Sequence, residues 1–320
     1  MLFFKPAPEL VVDVAVTGSG LSALVAAWCC HLNGLSTALF CVQPMFAGRV
    51  DFDSLAPQGV RYLHHMLTAA QIQALSQGKF HGIHRDGDYQ AFEPSENYGL
   101  QIDSGQLKAL LWHLLLDSSV QLIAQPALHK TLVSDRVLIE TADGEKLLAG
   151  WCLDASGQNS RISEQTPTPL GRDLWVRRST ESGQLKSNCV EFNRLEYGWE
   201  WLAYNHNGIV TRTEYSAHFS ELDDKSTLFN CQWYCRQRYT EKRTLLLTPT
   251  CYRFDPTSGL EISTTLNFAL LATKLVSRML MQNQDFQQKT LQYYENVLQN
   301  DFCEKFSRLS VFYQSGISRV

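Results

Sequence analysis

VVDVAVTGSGLSALVAAWCCHLNGLSTAL, running from Val11 to Leu39, decides how this chain folds. An apolar run, Val11–Thr17, meets the turn Gly18-Ser19-Gly20. An apolar helix-like segment follows to His31, Asn33-Gly34 stops it, and Ser36–Val42 reads as a second strand. Strand, glycine turn, helix and strand in this order form the G-x-G-x-x-A variant of the dinucleotide fingerprint. Gly18 permits the tight turn, Gly20 lets backbone approach a diphosphate, and Ala23 keeps the helix close to the strand. The free N–H groups and partial positive charge at the helix start favour a phosphate there. The plain alternative is an ordinary βαβ unit with a glycine turn.

Outward from this stretch, the chain has material for one large core or two domains: 320 residues, 44% hydrophobic. Its net charge of −4 gives no basic field for nucleic acid or an anionic membrane. The start, MLFFKPAPEL, has one lysine, a proline break and no signal-peptide pattern. No apolar run reaches about 18 residues, so no membrane span is expected. Nine scattered cysteines without metal-ligand spacing read as reduced thiols of a cytoplasmic protein, and no metal is expected. The acid that commonly ends the second strand and holds ribose hydroxyls falls at Cys41. Phe40-Cys41-Val42-Gln43 has no carboxylate, so either one ribose contact is missing or Gln43 supplies a weaker one.

Further along, Gly59–Ala74 reads as a helix carrying His64-His65, which as neighbours do not share a helix face. Phe80–His84 reads as a strand. Tyr98–Asp103 and Ser104–Asp117 read as a strand passing into a helix. Val133–Glu140 and Lys146–Leu153 form a hairpin around Ala142-Asp143-Gly144. Trp151 to Gly157 returns an apolar strand to a second turn. Residues 163–250 alternate as strands and concentrate aromatic mass at Trp175, Trp199, Trp201, Trp233 and Tyr234, most of it expected as core. A turn at Phe254–Gly259 precedes helices over about Ile262–Met281 and Asp285–Leu309.

Four landmarks in order carry a resemblance: the glycine turn, the Ile102-Asp103 step, Asp154-Ala-Ser-Gly157, and Phe254-Asp-Pro-Thr-Ser-Gly259. The chain resembles FAD-dependent oxidoreductases of the glutathione-reductase-like superfamily. Within it, the chain looks most like aromatic hydroxylases and flavin-dependent tryptophan halogenases. Gly198-Trp199-Glu-Trp201-Leu is similar to the halogenases' tryptophan-x-tryptophan motif, with Ala203-Tyr204 where a later proline stands. As a single match, the chain most resembles the compact halogenase-like flavoproteins that oxidise a partner protein's tryptophan in quinone-cofactor biogenesis. The resemblance implies an α/β fold: a Rossmann-like FAD-binding domain from 1–162 and 245–320, an antiparallel-sheet substrate domain at 163–244, and C-terminal helices.

It also implies FAD contacts at Gly18, Gly20, Ala23, Gln43, Asp154, Gly157, Asp255, Pro256 and Gly259, with Trp199 and Trp201 toward an indole or phenol. The candidate catalytic groups are Lys79, which falls roughly where halogenases carry a lysine, and Glu261, as a group that tunes the flavin. Glu261 replaces a glycine where backbone approaches the flavin, placing a bulky anion there. Ser104 replaces an arginine, and Leu247–Cys251 lacks an acid the family has. The implied activity is oxygenation of an aromatic small molecule or partner-protein residue, with a separate flavin reductase because no NAD(P)H site is visible. The alternative is a catalytically degenerate FAD fold acting as a binding or scaffold partner.

Overall fold

The computed structural model describes residues 10–42, 52–96, 98–171, 175–182, 190–195, 198–204, 209–216, 226–256 and 259–316. The strand Leu10–Thr17 sits centrally in an eight-stranded sheet, and Val14, Ala15 and Val16 are fully buried. It pairs in parallel with Thr37–Phe40 on one side. On the other it pairs with Lys146–Asp154, from Leu10 opposite Leu147 to Thr17 opposite Asp154. Gln121–Ile123 and Thr244–Leu246 extend the parallel order on either side. Strands buried on both faces need near-continuous apolar runs, which these sequences supply.

The helix Leu21–Leu32 buries Ala23 to Ala27 with Cys29 and Cys30 against that sheet. Asn33 ends it, its side-chain amide donating to the Cys29 carbonyl at 2.7 Å. The helix Glu261–Met279 packs beside it, burying Leu266, Phe268, Ala269 and Ala272. A last helix, Gln284–Gly316, runs well beyond the expected Leu309.

Two local expectations change. The helix expected over Gly59–Ala74 is two, Pro57–His64 and Ala69–Leu75. Thr68 caps the second in a reciprocal arrangement with Gln71, which satisfies donors a continuous helix would not have left open. The strand expected over Val133–Glu140 is broken at Ser134, whose φ is +56°. A tight turn there gives Ala127–Val133 and Arg136–Thr141 as neighbours, and the latter forms the expected hairpin with Lys146–Asp154.

The second large sheet has seven strands. Trp175–Ser182, Ile209–Ser216, Gly198–Tyr204 and Val190–Leu195 run antiparallel in that order. The hairpin Gly82–Arg85 and Asp88–Ala91 adds to its edge, Val190 pairing in parallel with Ile83. The chain before residue 163 therefore reaches into the layer expected from 163–244. Trp199, Phe192, Val176 and Phe80 form that layer's core. A three-stranded sheet of Phe52–Leu55, Gly99–Asp103 and Ser76–Phe80 stands between the layers.

Among the described residues, no helix is long and apolar enough to cross a membrane. Among the described residues, no group of three or more His, Cys, Asp or Glu side chains could hold a metal ion, and eight cysteines are free.

Candidate cofactor and substrate cleft

Two parallel strands place the glycine turn and the Ala155–Gly157 turn side by side at their C-terminal ends. Such edges are where ligands of open α/β sheets bind. Gly18 has φ +123°, and a Cβ there would lie 2.4 Å from the Ala155 carbonyl oxygen. Only glycine permits the two turns this contact. Gly20 differs: its conformation is extended, and a Cβ on it meets nothing within 4 Å. The space above it belongs to an outer cleft of about 770 Å³, which Cys41, Ser104, Lys108, Gly157 and Arg161 also line.

No side chain caps the helix that starts after Gly20. In its first turn the Ser22 hydroxyl is buried, lines the cleft and has no hydrogen-bond partner in the structure. An uncapped helix start with a buried, unanswered hydroxyl fits a diphosphate. Cys41 is buried at the end of the second strand, where burial pushes its thiol up to about 11. It therefore gives the cleft a neutral wall at this point. Gln43 lies outside the described residues.

Asp154 does not face the cleft. Its Oδ1 accepts from the Thr17 hydroxyl at 3.0 Å and the Ser156 amide at 2.9 Å, and its Oδ2 accepts from Ser160 at 2.6 Å. It is fully buried and fixes the turn that presents Gly157. The Gly157 amide donates to Thr250 Oγ1 at 2.8 Å, linking this turn to the loop around Pro249. Arg236 reinforces the link from below, donating to the Thr250 and Gln158 carbonyls at 2.8 and 3.0 Å.

The outer cleft continues into an inner cavity of about 370 Å³. Pro249, Arg253, Glu261, Ile262 and Thr265 line both. The Arg178–Asp53 ion pair, 3.2 Å, ties the seven-stranded sheet to the three-stranded one at the same junction. Glu261 opens the helix Glu261–Met279, whose N-cap Leu260 supplies no side-chain bond. The side chain is exposed at the rim, and its negative charge suits a helix N-terminus.

Trp201, Tyr252, Phe254, Pro256 and Gly259 line the inner cavity. Gly259 has φ +63°, and a Cβ on it would come within 2.8 Å of the Trp201 ring, so its bareness lets the turn lie against the indole. Trp201 is held by its Nε1, which donates to Ser54 Oγ at 3.3 Å. Cys231 shares this cavity as a neutral thiol, which burial pushes up to about 12.

Besides Asp154, four expected site residues stand elsewhere: Ala23 is fully buried in its helix and lines neither cleft, and Trp199, Asp255 and Lys79 do not line them either. Trp199 is fully buried in the layer core, and its Nε1 donates to Tyr313 Oη at 2.9 Å. Asp255 is buried behind the turn; its Oδ2 accepts from Trp233 Nε1 at 2.6 Å and Tyr313 Oη at 3.0 Å. Lys79 is exposed on its strand, 4.2 Å from the Tyr98 ring centroid, and lines neither cleft. Sequence reasoning had no hold on Ser22, Arg253, Thr211, Thr248 or Lys305 as cleft residues. Ser22 stood inside the glycine motif and Arg253 two positions before Asp255, but nothing local marks their lack of partners.

No family profile matches the chain, and no curated protein matches it. Solved structures do share the fold. The myxobacterial chondrochloren halogenase, a FAD-dependent halogenase, aligns with a TM-score of 0.78 over 96% of this chain and 83% of its own, at 13% identity. The p-nitrophenol 4-monooxygenase of Pseudomonas putida aligns at 0.75 over 90% and 86%, with 12% identity. A peptidyl tryptophan dihydroxylase essential for tryptophylquinone cofactor biogenesis aligns at 0.68 over 97% and 76%, with 14% identity. The chain has the fold of these proteins: a Rossmann-like layer with a second, sheet-rich layer. The resemblance to flavin-dependent halogenases and aromatic hydroxylases read from the sequence thus holds at the level of fold.

Proposed function

We propose that the chain is a FAD-dependent oxidoreductase that oxidises an electron-rich aromatic group, an indole or a phenol. The observation that carries this reading is the continuity of the cleft. It runs from the uncapped helix start at Gly20 and Ser22 to an aromatic-walled cavity against Trp201. Gly20, Ser22 and Gly157 hold the diphosphate end, while Gly18 and Ala23 keep the turn and the helix close to their neighbours. Pro256, Gly259 and the start of the Glu261 helix shape the junction. Asp154 and Asp255 act from behind, by fixing the two turns. When bound, FAD supplies two-electron redox chemistry and the activation of O2. Trp201 orients the aromatic ring by stacking, and the layers around the junction exclude water. Electrons come from a separate reductase. The substrate domain is centred on residues 163–244, between the two parts of the FAD domain, 1–162 and 245–320.

Buried Cys41 and the Glu261 carboxylate at the rim favour a second reading, a FAD fold retained for binding a partner. The visible spectrum decides between them. Purified protein that carries a flavin band, or gains one on FAD titration, supports the oxidoreductase. Protein that stays colourless and binds no FAD at high concentration refutes it.

A further inference from the structure

Three cations line the inner cavity: Arg178, Lys305 and Arg253. Arg178 is answered by Asp53 at 3.2 Å. Lys305 is answered by Asp301 at 2.8 Å and donates to Thr264 Oγ1 at 2.6 Å. Arg253 has neither kind of answer. Among the described residues its one hydrogen bond goes from Nη2 to the neutral Cys231 sulfur, at 3.7 Å, and no carboxylate stands within ion-pair distance. A half-buried guanidinium with five donors and one weak acceptor is unusual, because its planar fork is matched to a carboxylate.

A second observation concerns the same cavity. Thr211 and Thr248, 1% and 5% exposed, both line it, and both hydroxyls are buried without a hydrogen-bond partner. Buried polar groups of a native protein are normally paired. Two orphan hydroxyls and an unanswered guanidinium around one cavity mark a place where a polar ligand completes the bonding. The remaining walls are apolar and aromatic, and about 370 Å³ is near the small end of ligand pockets. That suits one or two fused rings.

We propose that Arg253 makes the inner cavity a site for a small aromatic carboxylate, with the guanidinium taking the carboxylate and the Trp201 wall taking the ring. Thr211 and Thr248 add hydrogen bonds to ligand oxygens. This rests on reading the inner cavity as the substrate site. It narrows the substrate from any indole or phenol to a free acid. A tryptophan side chain within a partner protein brings no carboxylate of its own to Arg253.

The test measures binding of indole-3-carboxylate and of its neutral amide by calorimetry, with FAD-free protein and again after FAD titration. The expected result is that the acid binds at least tenfold more tightly than the amide. Arg253→Gln then weakens the acid by about 10- to 100-fold while leaving the amide unchanged. Arg253→Lys, which keeps the charge and loses the fork, falls between the two, and melting curves confirm that each variant is folded. Equal binding of acid and amide by the wild type overturns the proposal, as does a preference that survives Arg253→Gln. An Arg253→Gln variant that loses FAD affinity but keeps the acid preference also overturns it, placing the guanidinium on the cofactor. If wild-type protein binds no FAD yet still prefers the acid, the oxidoreductase reading fails and this site stands.

Discussion

Gly18 and Gly20 are two residues apart in one motif, yet the structure gives them separable tasks. Gly18→Ala places a methyl 2.4 Å from the Ala155 carbonyl oxygen and 2.7 Å from its carbon. Those are backbone atoms, so relief requires the two turns to separate. The residue must also hold φ +123°, where side chains are disfavoured. Backbone strain of about 1–3 kcal/mol and overpacking of similar size give a loss of about 2–6 kcal/mol. For a chain of this length, with unfolding entropy near 2 cal/mol/K per residue, that lowers Tm by about 3–9 °C. Gly20→Ser meets nothing within 4 Å at an extended N-cap position that serine favours. Its FAD-free Tm should hold or rise slightly. The added side chain fills the diphosphate approach, so FAD affinity should fall at least tenfold. Scanning calorimetry on FAD-free protein and flavin titration provide both readouts. If Gly18→Ala leaves Tm unchanged, or Gly20→Ser destabilises the FAD-free protein as much, the division of labour is wrong. Unaltered FAD binding by Gly20→Ser would mean that the diphosphate does not sit there.

Glu261→Gln should raise FAD affinity by removing the rim anion, while its helix loses about 0.3–1 kcal/mol of dipole stabilisation; titration showing no gain refutes the charge repulsion. Tyr313→Phe removes a donor from buried Asp255 and the acceptor for Trp199 Nε1. Its expected destabilisation is about 1–3 kcal/mol, read by thermal melting. Burial alone would raise the Glu241 carboxyl, but Lys130 at 2.6 Å and the Ser163 hydroxyl outweigh it and hold the group below its ordinary value of 4.5. A lowered folded value means the stabilisation is complete above pH 4.5 and disappears as pH falls through the folded value. Acid unfolding should therefore be less steep in Glu241→Gln, and an unchanged slope would refute this assignment.

The layer built on Val11–Leu39 was legible because its signals are local: unbroken apolar runs, a glycine turn, and Asn33-Gly34 as a stop. The return strand was legible for the same reason, and it pairs with the first through seven aligned positions. The motif acids were placed correctly along the chain but not in orientation. Asp154 and Asp255 spend their oxygens on Thr17, Ser156, Ser160, Trp233 and Tyr313, and three of those partners are more than ten residues distant. Trp199 and Trp201 show how little spacing alone decides. They alternate by two on one strand, yet one is sealed in the layer core and the other walls the cavity. Arg253 was invisible as a site residue because its distinction is what it lacks, and a missing partner is a property of the assembled fold.

The hairpin Gly82–Ala91 bears on how such proteins could be recombined. It leaves the first part of the chain, adds two strands to the edge of the seven-stranded sheet, and returns to the small sheet at Gly99. A chimera that exchanges residues 163–244 for the corresponding piece of another flavoprotein keeps this hairpin from the host. The incoming strand at the position of Val190–Leu195 must then match a foreign neighbour, register and side chains alike. Moving the substrate layer intact means transplanting residues 82–91 as a second, separate insert.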